Sequence, residues 1–181
     1  QRQMCIRDRA GNVDYTQGAM RNAVKKDFRD IYSSPMSQGT RCHQLATYIV
    51  FDSPLVMLCD APTAYRKEPE CTRFIAGLPV VADETRILQG KMGEYIVTAR
   101  RVGEDWIVGG LTDWEARTVD LDLSFLPEGM FRAEIFCDGI NADKKGEDYR
   151  HEYRDVKRED RLKMQLAPGG GFAIRLKKNH N

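Results

Sequence analysis

Apolar residues recur with two different periods along this chain, and the change falls near residue 80. Between residues 39 and 51, Cys42, Leu45, Ala46 and Ile49 stand at i, i+3, i+4 and i+7. That is the spacing of one helix face, so a helix is expected there with these four on its buried stripe. Asp52-Ser53-Pro54 ends it. Leu55-Val56-Met57-Leu58-Cys59 follows as an unbroken apolar run between turn residues, the pattern of a strand buried on both faces, as in a parallel sheet. A loop with two prolines is expected from Asp60 to Pro69. A short helix from about Glu70 to Ala76 comes next, with an acidic first residue that suits the helix dipole and Gly77 and Pro79 to stop it.

Beyond residue 80 the period drops to two. Val119, Leu121, Leu123 and Phe125 alternate with polar residues, as do Phe131, Ala133, Ile135 and Cys137, then Leu162, Met164 and Leu166, and finally Phe172, Ile174 and Leu176. These read as half-buried antiparallel strands. Glu94 to Arg101 and Asp105 to Gly110 flank the turn Val102-Gly103-Glu104-Asp105 and form a hairpin. The expected architecture is α/β plus all-β: strand and helix up to residue 79, then an antiparallel β-sandwich over 80–181. A lone parallel strand with its helix cannot bury both faces by itself, so the first part is expected to be the tail of a larger α/β unit.

Charge and cysteine usage narrow the options. Lys plus Arg total 28 against 27 for Asp plus Glu, so no electrostatic attraction to nucleic acid or an anionic membrane is expected. The longest apolar stretches fall far short of the roughly 18 residues of a membrane span. Neither nucleic acid nor membrane is expected as a partner. The five cysteines, at 5, 42, 59, 71 and 137, are odd in number and lack C-x-x-C spacing, which argues against a zinc site or a disulfide framework. Cys42 next to His43 raises the question of a reactive thiol with its base. On a helix, neighbours in sequence are rotated by about 100°. Cys42 is therefore expected to be a buried structural thiol.

The first residues, QRQMCIRDR, have no initiator Met, apolar core or periodicity and do not form a signal peptide. They resemble translated adapter sequence, so residues 1–8 are set aside and the natural protein is expected to continue upstream of residue 9.

The segments AGNVDYTQGAMRNA, PMSQGTRCHQLATYIVFDSPLVMLCDAPTAYRKEPECTRFIAGLP, DETRILQGKMGEYIVTARR and AEIFCDGINAD together resemble glycoside hydrolase family 97, the calcium-dependent α-glucosidases and α-galactosidases of Bacteroidetes-type bacteria. The resemblance runs from about Arg9 to the carboxyl end and is most specific between 37 and 101. Asn12 and Gln17 stand where the family's loop would carry prolines. The resemblance implies a parent with an amino-terminal β-sandwich, a central (β/α)8 barrel and a carboxyl-terminal β domain, of which residues 9–79 would be the end of the barrel and 80–181 the last domain. It also implies a periplasmic or extracellular setting, an α-linked oligosaccharide substrate and calcium in the parent. The catalytic and calcium-binding glutamates would lie upstream, so no catalytic residue and no bound metal are expected within this chain, which is expected to be inactive alone.

Barrel enzymes hold reactive groups at the carboxyl ends of strands. On that ground Asp60, after the expected eighth strand, and Asp14 with Tyr15, after the expected seventh, are the candidate substrate-binding residues, with a loop-capping role as the alternative for Asp60. The acidic pair Asp83-Glu84 sits at the exit toward the β domain and reads as structural. DGINADKKGE, residues 138–147, lacks the alternating oxygen ligands of an EF-hand and reads as a polar hairpin loop. The mixed-sign run 149–163 reads as a solvated face. Trp106 is expected in the core, while Trp114 stays open between core and a sugar-stacking surface. The alternative function is an accessory β module that binds carbohydrate or forms a homo-oligomer.

Overall fold

The computed structural model describes residues 15–53 and 55–179. Asp14 and the adapter-like residues 1–8 lie outside them. The first described part carries two short parallel ladders, β1 (Tyr15–Thr16) with β4 (Val56–Met57) and β2 (Asn22–Ala23) with β3 (Ser37–Gln38). Helix α1 (Arg41–Val50) follows β3. Thr40 caps it, its hydroxyl accepting the His43 amide at 3.0 Å, which satisfies one of the amides a helix start leaves unpaired. Cys42, Leu45, Ala46 and Ile49 are all fully buried, as their spacing requires.

Two short helices, α2 (Pro62–Lys67) and α3 (Pro69–Ala76), complete this part. The stretch 60–69, expected as loop, is thus largely helical. Both prolines occupy the first helical position, where the missing N–H costs nothing and the fixed φ favours the turn. A second expectation also fails. Leu55, Met57 and Leu58 are 55, 51 and 53% exposed, so the apolar run is not buried on both faces; β4 has a single strand neighbour, β1, among the described residues.

The second part is an antiparallel six-stranded sheet in the order β10-β9-β12-β7-β6-β5. Its strands are β5 (Glu84–Lys91), β6 (Tyr95–Val102), β7 (Asp105–Thr112), β9 (Phe131–Asp138), β10 (Tyr149–Val156) and β12 (Gly171–Lys178). A two-stranded ladder, β8 (Arg117–Asp122) with β11 (Arg161–Leu166), covers one face. Phe131, Phe172 and Ile174 of the sheet pack there with Leu121 and Leu123, all fully buried. Each such side chain contributes about 1.5–3 kcal/mol of burial. Trp106 is in this core, as expected, edge-on to Phe125 at 5.0 Å between centroids.

Two strands were not legible as strands. β5 carries a register shift between Ile87 and Gln89, and such a bulge destroys a period of two. β10 falls within the charged run 149–163. It lies at the sheet's end with Val156 alone fully buried, so solvent reaches both faces and no apolar alternation is required of it.

The opposite face of the sheet receives α1, across β7 and β12. Leu45, Ile49 and Phe74 share a core with Ile107, Phe136 and Ala173, so helix and sheet are packed together across position 80. Gly109 makes the close approach possible. A Cβ there would sit 2.9 Å from Ile49 Cβ and 3.0 Å from the Ala46 carbonyl oxygen. Gly109→Val should therefore destabilise the chain by about 1–3 kcal/mol through overpacking. An unchanged urea midpoint would mean that α1 does not seat on β7.

Candidate functional site

The end of the molecule carrying the sequence-nominated residues is assembled by the loops after β1 and β4. Tyr15, on β1, lies opposite Val56 of β4 and packs edge-on against Phe51 at 4.5 Å between centroids. Burial, with a smaller contribution from Cys59, raises its phenol pKa. Asp60 follows β4. One of its carboxylate oxygens accepts the Met20 amide at 2.7 Å and the other the Ala61 amide at 2.6 Å. The Asp60 carboxylate thus joins the segment after β1 to the one after β4 through backbone amides. Beside them a mainly apolar groove of about 300 Å³ is lined by Tyr48, Phe51, Leu55, Val56, Leu58 and Tyr65 among others.

Linked to Asp60 through Met20 is a buried polar network that periodicity did not announce. Arg41 is 1% exposed. Its guanidinium donates through Nε to Asn22 Oδ1 and through Nη2 to the Met20 carbonyl, while Nη1 faces Glu68 Oε2 at 3.3 Å. Asn22 donates to Gln44 Oε1 at 2.9 Å, and Gln44 donates to the carbonyls of Gly18 and Ala19, both at 3.1 Å. The segment 17–23 is thereby fastened to α1. Arg41 stands four residues before Leu45 on the buried stripe, and an arginine at that point of the period was the available signal.

Cys42 and His43 do not form a dyad. The thiol is fully buried, and burial first, then the nearby Asp138 carboxylate, pushes its pKa well up. A thiol so held is a poor nucleophile. His43 turns away, its Nδ1 lying 3.2 Å from the Gly170 carbonyl, and burial lowers its pKa. Asp138, at the end of β9, is buried beside them. Its Oδ2 accepts the Ala167 and Gly171 amides at 2.9 and 3.0 Å, yet burial still raises its pKa to about 6.

The remaining motifs resolve as structural. Asp83 accepts the Gly103 amide at 2.7 Å, and Arg101 pairs with both Asp83 and Glu84. In the 138–147 loop, Asp148 accepts the Asn141 amide at 2.8 Å and the Gly146 carbonyl accepts the Arg41 amide at 2.7 Å, so the loop braces the start of α1. The glycine run 169–171 approaches the same place, with the Gly169 carbonyl accepting the Thr40 amide. Trp114 lies against Gly169, where a Cβ would meet its ring at 2.4 Å, and the Lys25 ammonium sits 5.7 Å from its centroid. Among the described residues no group of three or more His, Cys, Asp or Glu side chains is arranged to hold a metal ion.

An antiparallel β domain with a helix on its sheet and two short parallel ladders beside it is the class of protein these features define. The chain belongs to glycoside hydrolase family 97: residues 81–177 match the family model described as glycosyl-hydrolase 97 C-terminal, oligomerisation. It is 57% identical over 172 residues to a retaining alpha-galactosidase of Bacteroides thetaiotaomicron, covering 95% of this chain and 26% of that protein. It is 27% identical over 163 residues to a probable retaining alpha-galactosidase of Streptomyces bingchenggensis, covering 90% and 23%. Among solved structures it is similar to a family 97 enzyme of Pseudoalteromonas sp. strain K8 in complex with panose, with TM-score 0.82, 34% identity and coverage of 94% of this chain and 27% of that one. The chain spans about a quarter of the length of the curated relatives it matches.

Proposed function

We propose that this chain is the carboxyl-terminal part of a retaining α-glycosidase acting on terminal α-linked galactose, with residues 9–79 closing a (β/α)8 barrel and residues 80–181 forming an oligomerisation domain. The observation that carries this reading is the parallel pair β1–β4, where Met57 of β4 and the flanking Leu55 and Leu58 stand exposed. Parallel strands are stable when covered on both faces, and upstream barrel strands would provide that cover. The resemblance of the whole chain to a retaining alpha-galactosidase supports the same substrate class. α-Glucosides are the second candidate.

Retaining hydrolysis needs two carboxyl groups about 5–5.5 Å apart, one as nucleophile and one as acid then base. Both are assigned to the upstream part, together with the calcium ligands, in a periplasmic or extracellular enzyme. Tyr15 and Asp14 would border the sugar. Asp60 would act by holding the loop after β1 in place. Oligomerisation is favoured over carbohydrate binding for the β domain because Trp106 is buried and Trp114 is half-buried, its ring against Gly169 and already faced by the Lys25 ammonium.

The test is to recover the upstream reading frame, produce the longer protein, and compare it with this chain on chromogenic α-galactoside and α-glucoside, with and without calcium. The longer protein should hydrolyse the α-galactoside and the 181-residue chain neither substrate. A native stop codon just upstream of Arg9, or hydrolysis by the chain itself that an Asp60→Asn change abolishes, would overturn the reading.

A further inference from the structure

We infer that two copies of this chain pair through the outer edge of β10, antiparallel about a two-fold axis at Tyr153, joining their six-stranded sheets into one. This rests on reading the β domain as an oligomerisation domain and specifies which of its surfaces is used.

Among the described residues β10 lies at one end of the sheet, with β9 as its single strand neighbour. Its register is unbroken from Tyr149 to Val156, so its outer side presents a regular row of backbone donors and acceptors, a template for another strand. Glu152, Tyr153, Arg154 and Asp155 are all exposed. The other end strand, β5, is a poorer template. It is bulged between Ile87 and Gln89, and the Gln89 side chain donates to the Asp120 carbonyl.

Symmetry restricts the register. A two-fold axis that makes one continuous antiparallel sheet keeps each face on its own side, so paired residues must come from the same face of β10. The axis must therefore fall on a residue. Placed on Glu152, it sets Glu152 against its own copy and Arg150 against Arg154, and like charges directly opposite are destabilising. Placed on His151, it sets Glu147 against Asp155 and centres on a side chain 13% exposed, whose two ring nitrogens already face Glu70 and Glu134 at 3.5 and 3.2 Å. Placed on Tyr153, it sets Glu152 opposite Arg154 twice, Tyr153 opposite Tyr153 and His151 opposite Asp155, with no like-charge pair in the strand. The charge order of β10 is self-complementary about Tyr153.

Such a contact is small beside the roughly 20–30 residues a side of a standard interface, so a micromolar Kd weakened by salt is expected. The test is sedimentation velocity on the 181-residue chain up to about 100 μM, well above that Kd. Wild type should dimerise. Glu152→Arg and Arg154→Glu should each raise Kd about tenfold or more, and the double exchange should restore it. In the His151 register Glu152 faces Arg150 and Arg154 faces Asp148, so there the double exchange would set like charges opposite each other at both pairs; rescue therefore identifies the Tyr153 register. All three variants change exposed positions, and circular dichroism checks that they fold. A dimer indifferent to all of them, as association through the exposed apolar β4 would be, overturns the β10 interface and leaves the oligomerisation reading standing. A double variant no better than the singles also overturns it. A chain monomeric at every concentration overturns both.

Discussion

Arg41→Ala should lower the stability of the chain by about 3–5 kcal/mol, the loss expected when a buried, hydrogen-bonded charge is removed from its partners. The guanidinium is the donor for Asn22 Oδ1 and the Met20 carbonyl, and Asn22 is 6% exposed. Without Arg41 these acceptors stay buried and unpaired, while the more exposed Glu68, at 29% of its side chain, recovers water. The loss should concentrate in the segment from Gln17 to Ala23, so amide exchange there should accelerate more than in β7 or β12. Arg41→Lys keeps the charge but not the planar fork, and should recover less than half of the loss. Urea unfolding measures all three proteins. A loss below about 1 kcal/mol for Arg41→Ala would show that the network does not hold the segment.

Asp138→Asn should change how stability depends on pH. The carboxyl pKa rises from 3.8 to about 6 in the folded chain because burial outweighs the hydrogen bonds to the carboxylate. Between those values the native state binds more protons than the unfolded state. Stability from this group is therefore greatest at or below about pH 4, falls as pH rises to about 6 and is flat above. The full change is on the order of 3 kcal/mol. The exposed carboxylates pull the other way: Glu84 is held low by Arg86, Glu94 by Lys91 and Asp122 by the Ser124 amide. They are the same in both proteins and cancel in the difference. Stability of Asp138→Asn minus that of wild type should rise with pH across this window and then level off. A difference independent of pH would mean that the carboxylate titrates normally, and that the Ala167 and Gly171 amides suffice to keep it charged.

Helix α1, the hairpin of β6 with β7, and strands β8, β9, β11 and β12 were all legible in the sequence, because each buries one face against a core and so must repeat its apolar residues at its own period. The same logic placed Cys42 in the interior. It also explains where reading failed. β10 buries little and β5 is bulged, so neither has to alternate. Pro62 and Pro69 signal a break and a helix start equally well, and the stretch between them resolved as helix. The exposure of Leu55 to Leu58 was invisible because apolar runs report which residues seek cover, not whether a neighbouring strand supplies it.

For the candidate site, local pattern put both Tyr15 and Asp60 on loops after strands; Asp60 does follow β4, whereas Tyr15 lies on β1 itself, paired with Val56. The β1–β4 pairing and the Met20 amide brought the two segments together, and contacts between residues 40 positions apart leave no periodic trace. The sequence by itself determined the elements that bury one regular face, the two characters of the chain and which helix face is buried. Only the tertiary structure decided that α1 lies on the β sheet, seated by Gly109, and that Arg41 and Asp138 are the buried charges at that junction. Period and composition follow from what each residue does to its own segment, whereas the free energy of a buried charge depends on partners that the fold alone brings within reach.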